Sequence, residues 1–82
     1  MTTNKNNVVL HVTSRRMIAI HSAALVLGAL MISDRAHYFT EARVDRKRVL
    51  VGRLVDNNRW RLEMTREFFQ AVNRTKLLMN LV

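Results

Sequence analysis

The sequence predicts an all-α membrane protein: one transmembrane helix, then a long charged helix and a C-terminal amphipathic helix, with no independent globular core. Three observations support this fold class. Residues 17–33 form an apolar run without formal charge. The 82-residue chain has no proline and only two glycines, so little interrupts a helix. From residue 59 onward, apolar residues recur mostly at three- and four-residue steps, as in an amphipathic helix.

Residues 1–13 are predicted to form a polar, interfacial N-terminal segment. Residues 1–7 are polar, and the short apolar patch at residues 8–12 fits either a strand or a turn in the membrane interface. Thr13 or Ser14 is expected to cap the following helix, because its hydroxyl can accept a hydrogen bond from a first-turn N–H group.

Residues 14–33 are predicted to form the transmembrane helix. At about 1.5 Å per residue the apolar run spans roughly 26 Å, the short end of what crosses a bilayer. The predicted membrane anchors are Arg15, Arg16 and Arg35, with Tyr38 in the interfacial aromatic belt. The alternative is the buried centre of a soluble helical protein. It is disfavoured because the following residues are rich in arginine and lack the apolar density to cover such a helix.

One face of this helix is predicted to contact a partner helix. His21, Ala24 and Gly28 follow one another at three- and four-residue steps, and the small residues allow two helices to approach closely in lipid. A polar side chain in hydrocarbon tends to face another helix. His21 is therefore interpreted as an imidazole bonded across the interface, rather than as a proton relay or cofactor ligand.

The remaining chain is divided at a turn. Residues 34–56 mix both charge signs, which predicts a charged juxtamembrane helix, and the sequence Asp56-Asn57-Asn58 predicts a turn. Residues 57–82 are predicted to form the amphipathic C-terminal helix. Its apolar stripe has too little to pack against within the chain, so a partner is expected to bury it. The predicted partner-binding residues are Trp60, Met64, Phe68, Phe69 and Val72.

Composition limits the chemistry. The net charge is +8, and eleven of the fourteen basic residues are arginine, which fits binding to nucleic acid, anionic lipid or an acidic protein. The chain has no cysteine, its three histidines lack metal-ligand spacing, and no phosphate-binding or nucleophile motif occurs. The sequence therefore predicts no catalytic, cofactor-binding or metal site, and no enzyme activity for the chain by itself.

The order of segments resembles a known family. A short basic N-terminus, a short apolar helix and a charged helix beginning Ser33-Asp34-Arg35 are similar to the small single-pass accessory subunits of mitochondrial respiratory complexes, particularly on the membrane arm of complex I. Asp45-Arg46-Lys47 resembles the D-R-K tract of one small beta-subcomplex subunit. The resemblance implies a bracing and assembly role in the mitochondrial inner membrane, without catalytic residues.

Three functional hypotheses follow. The first is a structural or assembly subunit of a respiratory-chain membrane complex, bound to integral membrane core subunits, with its C-terminal part on the matrix or cytosolic side. The alternative is a small, basic, soluble helical protein that binds nucleic acid. The sequence disfavours this alternative because only five aromatic residues are available to stack on bases. Binding to anionic lipid is a third, weaker hypothesis.

Overall fold

Five strands and two helices make up the computed structural model, which describes the backbone of residues 6–33 and 40–80 and the side chains within 6–33 and 40–75. The strands pair in the order β1-β5-β4-β3-β2, each antiparallel to its neighbours. The prediction of an all-α fold is therefore wrong. In chain order the elements are β1 (Asn7–Thr13), α1 (Ser14–Val26), β2 (Leu30–Ile32), β3 (Glu41–Val44), β4 (Lys47–Asp56), β5 (Arg59–Thr65) and α2 (Arg66–Asn80).

One face of the sheet forms the core with both helices. Along β5, Trp60, Leu62 and Met64 alternate with polar residues, the period of two that a strand buried on one face requires. Their β1 partners Val12, Leu10 and Val8 lie on the same face. The chain thus buries its own apolar face, contrary to the prediction that it lacks a globular core. The helices contribute Met17, Ile20, Ala23, Ala24, Phe68 and Val72 to the buried cluster.

The predicted helix over residues 57–82 is a strand followed by a shorter helix. Residues 59–65 form β5, and α2 begins at Arg66. The Phe68 N–H donates a hydrogen bond of 3.2 Å to the Thr65 hydroxyl oxygen, which caps the new helix. The predicted charged helix over residues 34–56 is also wrong where the structure describes it, because residues 41–56 form the β3–β4 hairpin.

The apolar run at residues 17–33 is likewise split between a helix and a strand. α1 has 13 residues and ends at Val26, and the chain then enters β2. Within residues 6–33 and 40–80, no helix has the length and apolar character needed to cross a bilayer. This finding overturns the predicted transmembrane helix at residues 14–33, and with it the prediction of a single-pass protein of the mitochondrial inner membrane.

A glycine explains why the helix stops. Gly28 has φ of +79°, and the Gly28 N–H donates to the Leu25 carbonyl at 3.0 Å. The Ala29 N–H donates to the Ala24 carbonyl, also at 3.0 Å. These two bonds form a Schellman motif, in which a left-handed residue just after the helix satisfies carbonyls that have no helical partner. Gly28 is therefore the stop signal of α1.

Replacing Gly28 by alanine is expected to lower the free energy of unfolding by roughly 1 kcal/mol, because a Cβ disfavours positive φ. A Cβ at this position would meet nothing within 4 Å, so a steric clash adds nothing to the loss. Gly28→Asn should lose less, since asparagine tolerates the left-handed region better. Urea unfolding of the three proteins tests this order. Equal stability of Gly28→Ala and the unchanged protein would contradict the cap.

A two-residue turn joins β3 and β4. Val44 pairs with Lys47, and the intervening Asp45 and Arg46 have φ of 53° and 67°. Two positive φ values define a type I′ turn, for which Asn-Gly is the preferred sequence. This turn therefore carries backbone strain in both of its central residues.

Arg46→Gly is expected to raise the free energy of unfolding by about 1 kcal/mol, because glycine adopts positive φ without a Cβ clash. Arg46→Ala is the matched control: it removes the same charge and keeps the Cβ. The urea concentration at the midpoint of unfolding should be higher for Arg46→Gly than for Arg46→Ala. A glycine variant no more stable than the alanine variant would show that the turn is not strained.

The turn predicted at residues 56–58 is confirmed, and it joins two strands. The Asn58 N–H donates to Asp56 Oδ1 at 3.1 Å between β4 and β5. The Ser14 N–H donates to the Asn58 carbonyl at 3.1 Å, which ties the start of α1 to this turn. Thr13 is the N-cap of α1, one of the two caps predicted, and its hydroxyl accepts from the Arg16 N–H. This end of the sheet is therefore connected by several hydrogen bonds.

Candidate functional site

The face of the sheet opposite the helices carries the polar side chains of the strands, and we call it the open face. Its residues alternate with the core residues along the strands, except at the β3–β4 bulge, where Arg48 and Val49 are consecutive, and the strand pairing sets which side chains are neighbours. The open face comprises Asn7, Val9, His11, Thr13, Leu30, Ile32, Glu41, Arg43, Arg48, Val49, Val51, Arg53, Arg59, Arg61, Glu63 and Thr65.

A row of basic side chains crosses the centre of this face. His11 of β1 pairs with Arg61 of β5, and Arg61 pairs with Arg53 of β4. Adjacent strands lie about 4.8 Å apart, so these three side chains leave the backbone within roughly 10 Å of one another. Like charges directly opposite on neighbouring strands destabilise a sheet. The facing guanidinium groups of Arg61 and Arg53 therefore repel each other when no anion is bound, and the ion pair of Arg61 with Glu63 offsets part of this repulsion.

Glu41 partly offsets this charge at the β3 side. Arg43 lies two residues further along β3, and Arg48 lies across the β3–β4 bulge on β4. The Arg43 Nε–H donates to Glu41 Oε2, and Arg48 Nη1 lies 3.7 Å from Glu41 Oε1. Both arginine side chains are about half exposed, so these pairs are worth well under 1 kcal/mol each and act mainly to orient the guanidinium groups.

Glu63 is the one buried charged residue among the side chains described, with 5 % of its surface exposed. The Asn7 amide Nδ2 donates to Glu63 Oε2 at 2.9 Å, and Arg61 Nη1 donates to Oε1 at 3.4 Å. A carboxylate removed from water needs such donors, because an unpaired buried charge is strongly unfavourable. By contrast, Arg53 and Arg59 lack a carboxylate partner among the residues that the structure describes.

The basic surface continues around the end of the sheet. Arg15 and Arg16 are exposed in the first turn of α1, which contains no acidic residue. Cations at a helix N-terminus oppose the helix dipole. The bond between Ser14 and Asn58 holds this turn next to the β4–β5 turn, from which Arg59 follows directly. Arg15 and Arg16 thus lie at a helix N-terminus, where the helix dipole favours anions and not cations.

A concavity of about 280 Å³ lies beside Glu63. Valines of β4 and polar residues of β1 and β5 surround it, and one arginine of β4 reaches it. The site therefore combines an apolar wall, a carboxylate, a guanidinium group and two uncharged polar side chains. Its lining residues are Asn7, Arg48, Val49, Leu50, Val51, Glu63, Met64 and Thr65.

The residues predicted for the membrane segment lie in different environments. Ala24 is buried in the core, His21 is half-buried, and Gly28 is exposed at the end of α1. Arg15 and Arg16 are exposed. The structure therefore does not bring the predicted helix-contact residues together on one exposed surface. Two further predicted anchors, Arg35 and Tyr38, lie outside the described residues.

The residues predicted to bind a partner face the chain's own core. The Trp60 indole donates a hydrogen bond of 3.2 Å to the Ser14 hydroxyl, beneath the helices. Phe69 is half-buried and packs at the edge of the core. The intramolecular core therefore covers most of the stripe that was expected to need a partner. The remaining members of that set, Met64, Phe68 and Val72, are buried.

The arginine row is not among the predictions from the sequence, although the sequence contains a signal for it. Arg59 and Arg61 alternate with Trp60, Leu62 and Met64. Such alternation indicates a strand with one apolar and one basic face. The partners His11 and Arg53 come from distant parts of the chain, so the row requires the strand order as well.

Within the described residues, no group of three or more histidine, aspartate or glutamate side chains is arranged to hold a metal ion. Comparisons with models of protein families, with curated proteins and with solved structures find no match to this chain. The open face is therefore the basis for the function proposed below.

Proposed function

We propose that this protein binds nucleic acid by placing phosphate groups on the open face of its sheet. The observation that carries the proposal is the row of His11, Arg61 and Arg53 on adjacent strands. The two facing arginines of this row repel each other in the isolated protein, and phosphates that lie on them remove that repulsion. The net charge of +8 adds long-range attraction for a polyanion.

Arginine suits this role better than lysine. Its planar fork donates two parallel hydrogen bonds to a phosphate, and it is less strongly hydrated than an ammonium group. The carboxylates of Glu41 and Glu63 hold neighbouring arginines in place, which lowers the entropy lost on binding. Arg53 and Arg59, with no such partner in the described part of the chain, are the principal phosphate contacts in this proposal.

The open face has no aromatic side chain among its residues, since Trp60 and Phe68 lie in the core. Base stacking on an aromatic platform therefore has no support here. Binding through phosphates has little sequence preference and a strong salt dependence. Nucleic-acid binding was the alternative function predicted from the sequence for a helical protein. Here the binding surface is a sheet.

The hypothesis of a respiratory-chain membrane subunit loses its main support, because the apolar run that carried it is divided between α1 and β2. A non-catalytic role as a subunit of some larger assembly stays a prediction. Its support is a group of apolar side chains exposed on α1: Ile18, Leu25 and Val26 are 65 %, 57 % and 72 % exposed.

The test is a binding titration with fluorescently labelled RNA and DNA, single-stranded and duplex, at several concentrations of KCl. We expect the logarithm of the association constant to fall linearly with the logarithm of salt, with a slope near −3 or steeper, as about four phosphate contacts require. A slope near zero, or no binding at about 50 mM KCl, would refute the proposal.

A further inference from the structure

We propose that two copies of this chain associate through β1, so that their two five-stranded sheets become one continuous sheet. β1 lies at an edge, because β5 is its only neighbour in the strand order. Among the described residues, no loop, helix or side chain outside the β1–β5 pairing makes a hydrogen bond with the backbone of residues 8–12. The outward N–H and C=O groups of such an edge are a template for a further strand. This inference does not depend on the proposed binding of nucleic acid.

β1 lacks the features that usually prevent edge pairing, which are a charged side chain, a proline, a bulge or a very short strand. Its seven residues include no lysine, arginine, aspartate, glutamate or proline. It pairs with β5 residue by residue from Asn7 to Thr13, without a bulge. The opposite edge, β2, has only three residues. Of the two edges, β1 is therefore the one suited to pair with another strand.

The sequence of β1 is complementary to itself when two copies run antiparallel about a two-fold axis at Leu10. Residues that lie opposite each other then share a face, so that aliphatic side chains meet on the core face and uncharged polar or aliphatic ones meet on the open face. The pairs between the two copies are Leu10 with Leu10, Val8 with Val12, Val9 with His11, and Asn7 with Thr13.

Other registers fit less well. An axis at Val9 or at His11 keeps the faces matched but leaves two residues of each strand unpaired at one end. An axis between two residues brings the core face of one copy to the open face of the other, because side chains alternate with a period of two. The axis at Leu10 alone pairs all seven residues with matched faces. This self-complementary match favours a second copy over an unrelated strand.

The positive charge of the chain does not oppose this contact strongly. Arg61 lies on β5, so the Arg61 residues of the two copies are separated by three strand spacings, or at least about 14 Å. This distance exceeds the Debye length of about 8 Å at physiological ionic strength, so the repulsion is largely screened. Pairing of the two strands supplies about six to eight backbone hydrogen bonds, a number that ordinary protein interfaces reach.

The dimer would place the two open faces side by side on one surface. His11 of each copy lies opposite Val9 of the other, so the two rows of basic side chains run next to each other with an offset of two residues. The helices of both copies lie on the other side of the joined sheet. Association through β1 therefore enlarges the open face and leaves it uncovered.

The first test is the mass of the full chain in solution without nucleic acid, measured by sedimentation equilibrium from about 1 μM to 1 mM. We expect the mass to rise from 9.6 kDa toward twice that value. Val9→Lys should weaken the association by about tenfold or more, because it brings two ammonium groups within roughly 7–8 Å of each other near the axis.

Val51→Lys is the matched control. Val9 and Val51 are both half-buried on the open face, and both lie directly opposite Glu63, one on the edge strand and the other on an inner strand. The two substitutions thus place the same charge beside the same carboxylate. Val51→Lys should associate as the unchanged protein does, and the tryptophan fluorescence of both variants shows whether they are folded.

Disulfide formation tests the register, because the chain has no cysteine of its own. Equal amounts of Val9→Cys and His11→Cys protein are mixed and oxidised, and mass spectrometry identifies the products. With the axis at Leu10, the two thiols come from residues whose Cα atoms are about 4.5–5.5 Å apart, so the mixed disulfide should dominate. Disulfides between two copies of the same variant require about 7–8 Å and should be rare.

A constant mass of 9.6 kDa up to the highest concentration would overturn the proposal. Equal weakening by Val9→Lys and Val51→Lys would also overturn it, since association would then follow charge and not the edge. A dimer that Val9→Lys leaves intact would place the contact elsewhere, such as on the exposed apolar side chains of α1. Products dominated by disulfides within either single variant would refute the axis at Leu10.

Discussion

Replacing Arg53 by glutamine is expected to reduce the affinity for nucleic acid several-fold and to make the salt slope shallower by about 1, because one phosphate contact is lost. Arg59→Gln should have the same effect. The double variant should lose affinity by on the order of tenfold and two units of slope. Titration of a labelled RNA at several KCl concentrations measures both quantities.

The same substitutions should not weaken the fold. Both side chains are exposed and lack a carboxylate partner in the described part of the chain, and Arg53 lies opposite Arg61. Removing one of two like charges on neighbouring strands should raise the free energy of unfolding by a few tenths of a kcal/mol. Weaker binding together with equal or greater stability would identify Arg53 as a residue retained for binding.

Arg74→Gln is the matched control, because it removes one exposed arginine from α2, away from the open face. Its salt slope should stay within error of that of the unchanged protein. If Arg74→Gln and Arg53→Gln weaken binding equally, then net charge and not the arginine row attracts the nucleic acid. The proposal about the open face would then be wrong.

The error in the fold prediction has a specific physical source. A spacing of four residues, as between Trp60 and Met64, fits both one turn of a helix and two repeats of a strand. Leu62 decides between them, because position i+2 lies on the far side of a helix and on the same face of a strand. The full set Trp60, Leu62 and Met64 has the period of a strand.

The structure of the apolar run was predicted wrongly for a different reason. Residues 17–33 lack formal charge throughout, so hydropathy alone does not divide them. Gly28 divides them, because a glycine after an apolar helical segment is a common helix stop. The predicted cap at Thr13 and the predicted turn at Asp56-Asn57-Asn58 are confirmed, since both depend on local side-chain hydrogen bonds.

The candidate site was beyond the sequence because it depends on strand order. His11, Arg53 and Arg61 are distant in the chain and meet only when β1 and β4 both pair with β5. The basic composition predicted an anionic partner in general terms. Predicting that these basic residues share one face of the sheet, next to the buried Glu63 and a cavity, would have required the register of the strands.

Leu62→Ala is expected to lower the free energy of unfolding by about 3 kcal/mol, within the range for a fully buried leucine. Leu62 is 0 % exposed and lies on β5 between strands β1 and β4, under the helices. A domain of this size has a total free energy of unfolding of about 4–12 kcal/mol, so the variant should be unfolded in much less urea. Trp60, the only tryptophan and 4 % exposed, reports the transition by its fluorescence.

Leu25→Ala is the control that makes this result specific. It removes the same atoms from a side chain that is 57 % exposed on α1, and it should change the free energy of unfolding by less than about 0.5 kcal/mol. The all-α prediction and the observed sheet give opposite orders for the two losses of stability. In the all-α prediction, Leu25 lies in the middle of the transmembrane helix, whereas Leu62 lies outside the apolar stripe of the C-terminal helix. A large loss at Leu25 with a small loss at Leu62 would therefore refute the sheet.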